Sequence, residues 1–267
     1  MTHPSESLRL LLRTLKLPSF ATLHEEIASE AEREGWSFSR FLLQLAELEV
    51  HDRKVRKIDR LRRASGLHSD KILATLDVER FSSKVRRQLA TLCEGAFVEK
   101  VENVLAFGLP GRGKTHCISA IGHELVDRGY SVLCRPAFKL VQDLLVAHRD
   151  LRIEKEIRRL DRFDVVIIDD IGYVQQGRQE MEVLFTFLAE RYERRSVMIT
   201  SNLVFSQWDQ IFKDPMTTAA AIDRLVHHAT ILELHGDSYR TDHAKKRKAK
   251  PKTKAPSTSA ESETLDV

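Results

Sequence analysis

Residues 103–129 read NVLAFGLPGRGKTHCISAIGHELVDRG, a glycine-rich loop set between a short apolar run and an amphipathic one. Within it, Gly108-Leu109-Pro110-Gly111-Arg112-Gly113-Lys114-Thr115 satisfies every fixed position of the pattern G-x-x-x-x-G-K-[ST]. Glycines let the backbone curl until its N–H groups face an anion, and a helix starting immediately afterwards adds its positive end. Lys114 then reaches the β- and γ-phosphates of a nucleoside triphosphate, and the Thr115 hydroxyl ligates Mg2+. A strand before the loop and a helix over Lys114–Asp127 are the first two elements this stretch predicts.

Downstream the same alternation continues. Short apolar, β-branched runs, SVLC (131–134), DVVIID (164–169), SVMIT (196–200) and ATILEL (229–234), are separated by helical stretches over 137–160 and from Gln179 to Tyr192. Strands of this kind, spaced by helices, predict an α/β fold: a P-loop parallel sheet covered by helices on both faces. In FDVVIIDDIG (163–172) the acids Asp169 and Asp170 emerge at the carboxyl end of a buried strand, where open α/β sheets bind ligands. Asp169 is the expected Mg2+ partner, and Asp170, one residue on, is placed to polarise an attacking water. Paired acids also end strands and open turns, and the phosphate loop upstream favours the metal reading. In SVMITSN (196–202) the strand closes on Thr200, Ser201 and Asn202. Asn202 is a candidate to hold the water or a γ-phosphate oxygen, an ordinary turn being the alternative.

The first hundred residues read as helices. Leu8, Leu11, Leu12 and Leu15 recur at i, i+3, i+4, i+7, as do Phe38, Phe41, Leu42 and Leu45, and each set predicts an apolar stripe packed within the chain or against another copy. Pro18 and Ser19 break the first helix, Ser37 is placed to cap the later one, and that helix is expected to run into HDRKVRKIDRLRR (51–63). Residues 241–267 carry almost no large apolar side chains, so a disordered basic tail is expected there.

The whole chain bounds these readings. Its 267 residues, 42% hydrophobic, suffice for a large core with a smaller domain beside it. No apolar run approaches the roughly eighteen residues of a membrane helix, and the polar start MTHPSES lacks a secretory apolar centre, so no membrane association and a cytoplasmic location are expected. Three widely spaced cysteines, Cys93, Cys117 and Cys134, read as buried reduced thiols. The adjacent pair His227 and His228 is expected to point to different faces, and with no H-E-x-x-H spacing no protein-bound transition metal is anticipated. The net charge of +4 is gathered into clusters at 53–63, 149–162 and 245–254. Clustered Lys and Arg neutralise phosphates, which makes nucleic acid the leading macromolecular partner.

With these residues assembled, the chain resembles an AAA+ ATPase of the DnaC/IstB clade, and among these the IstB-like transposition helper ATPases. The resemblance rests on LKLPSFATLHEEI (15–27), HDRKVRKIDRLRRA (51–64), the phosphate-loop region 97–116, DVVIIDDIGY (164–173), ERRSVMITSN (193–202) and the long segment 205–240. It implies a helical N-terminal domain over 1–80 for self-association or DNA binding, an AAA+ ATPase domain over 81–240 and the tail beyond. It also implies ATP and Mg2+ as cofactors, with Gly108 to Thr115, His116 and Arg240 around the nucleotide, and Arg240 as a second sensor. Arg224, in AAIDRLVHHA, matches the clade's arginine finger; read without the family it is a surface charge. A finger acting on a neighbour's ATP requires a homo-oligomer with the nucleotide at its interfaces. Leu109 and Arg112 depart from the clade's usual G-P-P-G-T-G-K-T-H at variable positions, where side chains point away from the phosphate; contact with an adjacent subunit is the other reading for Arg112.

The resemblance places double-stranded DNA on residues 138–162. Lys139, Arg149, Arg152, Lys155 and Arg159 are the candidate contacts there, joined by Arg53, Lys54, Arg56 and Lys57 in the N-terminal part. Arg152, Lys155 and Arg159 fall at i, i+3, i+7 and make a stripe able to follow a phosphate backbone, although Glu154 and Arg158 also suit an i, i+4 ion pair on a solvated face. The absence of interleaved aromatics favours duplex over single strands. The resulting expectation is an ATPase that selects or remodels target DNA and recruits or stimulates a cognate transposase. A helicase loader of the DnaC type is the alternative, and a small-metabolite P-loop kinase or a nucleotide-gated scaffold stands further away.

Overall fold

The computed structural model describes residues 4–173, 177–208, 211, 215–236, 238 and 239. Arg240 and the segment 241–267, expected to be a second sensor and a basic tail, lie outside the described residues. The second part of the chain is built on five strands: β1 (Asn103–Phe107), β2 (Val132–Pro136), β3 (Val165–Asp169), β4 (Ser196–Ser201) and β5 (Ala229–Glu233). Their spatial order is β2-β3-β4-β1-β5, and every pairing is parallel. All five residues of β1 are buried, as expected of a central strand with helices on both sides.

Alternation along each strand divides the core in two. Leu105, Leu133, Val166, Ile168, Val197 and Ile199 pack beneath α7 (Ala137–Arg149), α8 (Ile153–Leu160), α9 (Arg178–Arg191) and α10 (Pro215–Val226), together with Trp208. Val104, Ala106, Val165, Ile167 and Met198 face the other way, onto α4 (Ser83–Glu94) and α6 (Lys114–Asp127), with α5 (Ala96–Glu99) beside them. The helical stretch expected over 137–160 is two helices, broken where Leu151 takes a left-handed φ of 54°. Arg191 is fully buried at the base of the sheet, where its guanidinium donates to the carbonyls of Leu160, Phe163 and Ser196. Burial lowers its pKa to about 10, with the nearby Asp161 carboxylate opposing the shift.

Ahead of the sheet come α1 (Pro4–Thr14), α2 (Pro18–Glu34) and α3 (Phe38–Ser65). Ser37 caps α3, its Oγ accepting from the Arg40 N–H at 3.3 Å. The apolar stripes are only partly covered: Leu12 and Leu45 are buried, whereas Leu11, Leu15 and Leu42 are exposed and Phe38 is 90% exposed. Packing within the chain therefore accounts for a minority of each stripe. What ties α2 to α3 is polar. The buried Glu49 carboxylate accepts from the Ser19 N–H at 2.9 Å and from Arg53 and Arg56 at 3.1 Å each, while Ser19 Oγ donates to Asp52 at 2.7 Å. Farther along, Ile58, Leu61, Leu67 and Phe81, from both sides of residue 80, join the core around α6. Among the described residues no helix is long and apolar enough to cross a membrane.

Burial on its own would raise the Glu49 pKa, but the Ser19 N–H and the Arg53 guanidinium outweigh it and hold the group below its ordinary 4.5. A carboxyl depressed in the folded state stabilises above its unfolded pKa, and that contribution fades as pH falls through the folded one. Replacing Glu49 with Ala strands the Ser19 N–H and should cost about 2 kcal/mol at neutral pH. Urea unfolding of both chains at pH 7 and at pH 3.5 checks this, since the difference should narrow on acidification.

Candidate functional site

The phosphate loop leaves the end of β1 and is enclosed from above by the segment that follows β5. A Cβ on Gly108 would lie 2.5 Å from the Leu234 carbonyl oxygen, and one on Gly111 would collide with Ser238 Oγ. Both positions thus require glycine through close approach. The Tyr239 N–H donates to the Gly111 carbonyl at 2.9 Å, fastening the crossing segment to the loop. Gly113 caps α6 without any side-chain bond, so the N–H groups of its first turn are left for an anion. Lys114 is 6% exposed, and its Nζ donates to the carbonyls of Gly108 at 2.7 Å and Leu109 at 3.2 Å. Those bonds hold the ammonium over the loop.

Asp169 is the hub of the site. Its Oδ1 accepts from Thr115 Oγ1 on α6 at 2.9 Å and from Thr200 Oγ1 on β4 at 2.6 Å. Thr200 Oγ1 in turn accepts from the Asp170 N–H at 2.7 Å, and Asp170 sits in a left-handed conformation, φ 58°. A half-buried carboxylate next to a hydroxyl is a hard oxygen donor pair of the kind Mg2+ prefers. Beyond the Asp170 turn, a Cβ on Gly172 would run into Asn202 Oδ1. That oxygen is buried and accepts no hydrogen bond among the described residues.

These groups open onto a cavity of about 620 Å3, lined by Pro110 to His116, Asp170 and Asn202, and walled by residues 70–81 on one side and by His235, Gly236 and Tyr239 on the other. A cavity of this size suits a nucleotide. Arg112 lines it, whereas Leu109 is exposed and outside the lining. His116 lines it too, but its Nε2 lies 3.1 Å from both the Ile72 carbonyl and Thr75 Oγ1. Sequence reasoning did not find the two walls. Leu76, Phe81 and Tyr239 are ordinary apolar positions in the sequence, and only the fold brings them over the loop.

Arg224 lies elsewhere. Its Nη1 donates to the Ala220 carbonyl at 3.1 Å, its guanidinium sits 5.2 Å from the centre of the Phe185 ring, and it does not line its own chain's cavity. On the α7–α8 face, Arg152, Lys155 and Arg159 do come together, with Arg158, Arg162 and Glu156, around a groove of about 770 Å3. Arg159 pairs with Glu156 and Arg152 with Asp150, and the expected Arg158–Glu154 pair forms at 3.6 Å. Lys139 and Arg149 are exposed on α7 but outside that groove. In the N-terminal part Arg53 and Arg56 are engaged with Glu49, while Lys54 and Lys57 stand exposed on α3.

The three cysteines are buried, free thiols. Burial pushes Cys117 up to about 12 and Cys93 and Cys134 to about 11, so all three stay protonated near neutrality. The expectation for His227 and His228 is corrected. Their rings lie 4.1 Å apart, and both converge with Glu193. The pair occupies the turn between α10 and β5, where neither helical nor strand alternation applies.

Comparison with known proteins agrees with this geometry. Residues 10–249 match the family model described as IstB-like ATP binding protein. An insertion sequence ATP-binding protein of Sinorhizobium fredii is 41% identical over 95% of this chain and 86% of its own length. The insertion sequence IS21 ATP-binding protein of Pseudomonas aeruginosa is 36% identical over 92% of each. Among solved structures, DnaI matches with a TM-score of 0.53 at 20% identity, over 64% of this chain and 96% of its own. The replication initiator DnaA, solved with AMPPCP and single-stranded DNA, matches at 0.55 and 18% identity, over 68% and 56%. These last two likenesses show the fold.

Lys114→Ala removes the ammonium but leaves the loop backbone intact. ATP affinity should fall roughly tenfold or more, the scale of losing charge-assisted hydrogen bonds. Titration with a fluorescent ATP analogue measures it, and unchanged affinity would refute the assignment of the site.

Proposed function

The chain belongs to the family of IstB-like ATP binding proteins, and on that premise we propose an ATP-hydrolysing, DNA-binding oligomer that assists transposition. In this reading it selects or remodels target DNA and recruits or stimulates a transposase. The observation that carries the hydrolytic part is the Asp169 hub, together with an Asn202 carboxamide oxygen at the same cavity that has no partner among the described residues. Relatives encoded by insertion sequences match the N-terminal helices as well as the ATPase half, which supports a transposition role over helicase loading.

When ATP enters, Lys114 Nζ exchanges the Gly108 and Leu109 carbonyls for the β- and γ-phosphate oxygens. Thr115 and Asp169 would hold Mg2+, which neutralises charge across those phosphates. The Asp170 carboxylate accepts a proton from the attacking water, and Asn202 orients that water toward the γ-phosphate. Thr200 fixes the left-handed turn through the Asp170 N–H, so the base is positioned by β4 as well as β3. Arg224, which does not line its own chain's cavity, supplies its guanidinium to the ATP of a neighbouring copy, where it offsets charge developing in transfer. The groove lined by Arg152, Lys155 and Arg159 follows a duplex backbone without reading bases.

Asp170→Asn should bind ATP like the parent and hydrolyse it at least a hundredfold more slowly, on the general-base scale. An Arg224→Ala chain and a Lys114→Ala chain should each be inactive alone, and their mixture should recover part of the ATPase rate. Failure of every mixing ratio would remove action between subunits. Duplex affinity should fall with salt along a log–log slope of about −0.9 per phosphate contacted. A flat dependence would remove the groove from the DNA interface.

A further inference from the structure

We propose that Glu193, His227 and His228 bind a divalent transition-metal ion, for which Zn2+ is the natural probe, and that the ion clasps the turn after α9 to the turn before β5. One carboxylate oxygen of Glu193 and one ring nitrogen from each histidine lie within 4.8 Å of one another, all on exposed side chains. Ligand atoms bound to zinc at about 2.1 Å in tetrahedral geometry stand about 3.4 Å apart. Rotation of three solvent-exposed side chains closes that difference.

The surroundings favour this use of the three groups. Glu193 follows α9 in a left-handed conformation, φ 56°, which a non-glycine residue adopts only at a cost. The arginines beside it turn elsewhere, Arg194 pairing with Asp161 at 3.0 Å and Glu190 at 3.2 Å and Arg195 with Asp164 at 3.3 Å, while the Tyr192 hydroxyl is hydrogen-bonded to the Glu193 carboxylate. Glu193 makes no ion pair among the described residues. Tyr192 Oη lies 2.9 Å from His227 Nδ1. A phenol there can fix the tautomer and leave Nε2 to the metal, the outer-shell arrangement that metal-binding histidines require.

Two imidazoles and one carboxylate select borderline ions such as Zn2+, Ni2+ and Cu2+ over Mg2+, whose preferred donors are all oxygen. Three protein ligands leave a position for water. The ion would join the end of α10, whose last turn carries Arg224, to the end of α9, whose Phe185 faces that guanidinium. Binding itself does not depend on the ATPase reading.

The test uses the full chain without an affinity tag, stripped with chelator, in nucleotide-free buffer. Calorimetric titration with ZnCl2 should show one saturable equivalent that tenfold excess Mg2+ does not displace. Glu193→Gln, His227→Ala and His228→Ala should each weaken binding about tenfold or more, and Tyr192→Phe by about tenfold through the outer shell. Zinc should also raise the melting temperature of the parent and not of the double histidine variant, whose far-UV spectrum should match the parent's. Zinc affinity in that double variant within twofold of the parent, or displacement by Mg2+, would overturn the site.

Discussion

Asp169 Oδ1 accepts two hydroxyls at once, Thr115 from α6 and Thr200 from β4, and the functional half of the molecule depends on that convergence. The end of β3 lies beside β4, and β4 lies beside β1, so the carboxylate, the threonine and the phosphate loop meet only if three strands pair in register. Ile168 against Ile199 and Phe107 against Ser201 set that register. A one-residue slip in any of them would turn the polar end group to the opposite face. Continuous apolar runs in β1, β3 and β4 therefore do more than fill a core, because their length decides where the first acid emerges.

Much of this was legible in the sequence because it is local. A phosphate loop between strand and helix is encoded in consecutive residues, and so are the apolar strands ending at Asp169 and Thr200. Ser37 as a cap and the burial of Cys93, Cys117 and Cys134 also follow from short-range pattern and residue type. The remainder depends on contacts between distant segments. Ser238 and Tyr239 reach Gly111 only because β5 pairs beside β1 and delivers the following residues above the loop. Helical periodicity located the stripes of α1 and α3 but said nothing of how much cover they receive. Phe38 and Leu42 fit the repeat as well as Leu45 does, yet only Leu45 is buried.

Helix α6 links the cavity to the N-terminal helices. His116 and His123 stand two turns apart on it, with ring nitrogens 3.1 Å and 3.0 Å from the carbonyls of Ile72 and His68. A carbonyl only accepts, so each ring nitrogen must carry the proton. The segment that walls the cavity is thereby held along the same helix whose first turn carries Lys114 and Thr115. That segment continues directly from α3, which sends Ile58 and Leu61 into the α6 core. Any displacement of α6 therefore moves the cavity wall and the end of α3 with it.

Three departures from local rules meet at the cavity. Asp170 takes a left-handed backbone without being glycine, Lys114 is buried against carbonyls, and Asn202 Oδ1 is buried without a partner among the described residues. A buried oxygen left unpaired costs about 1–3 kcal/mol, and a left-handed aspartate about another 1. Neither cost serves packing, since β1 and β4 are buried along their whole length and β3 up to Asp169. What they have in common is direction: both groups line one cavity from adjacent strand ends. A polar site prepared before its ligand arrives must carry its unsatisfied groups in advance, and the rigid parallel sheet beneath supplies the stability that makes this tolerable.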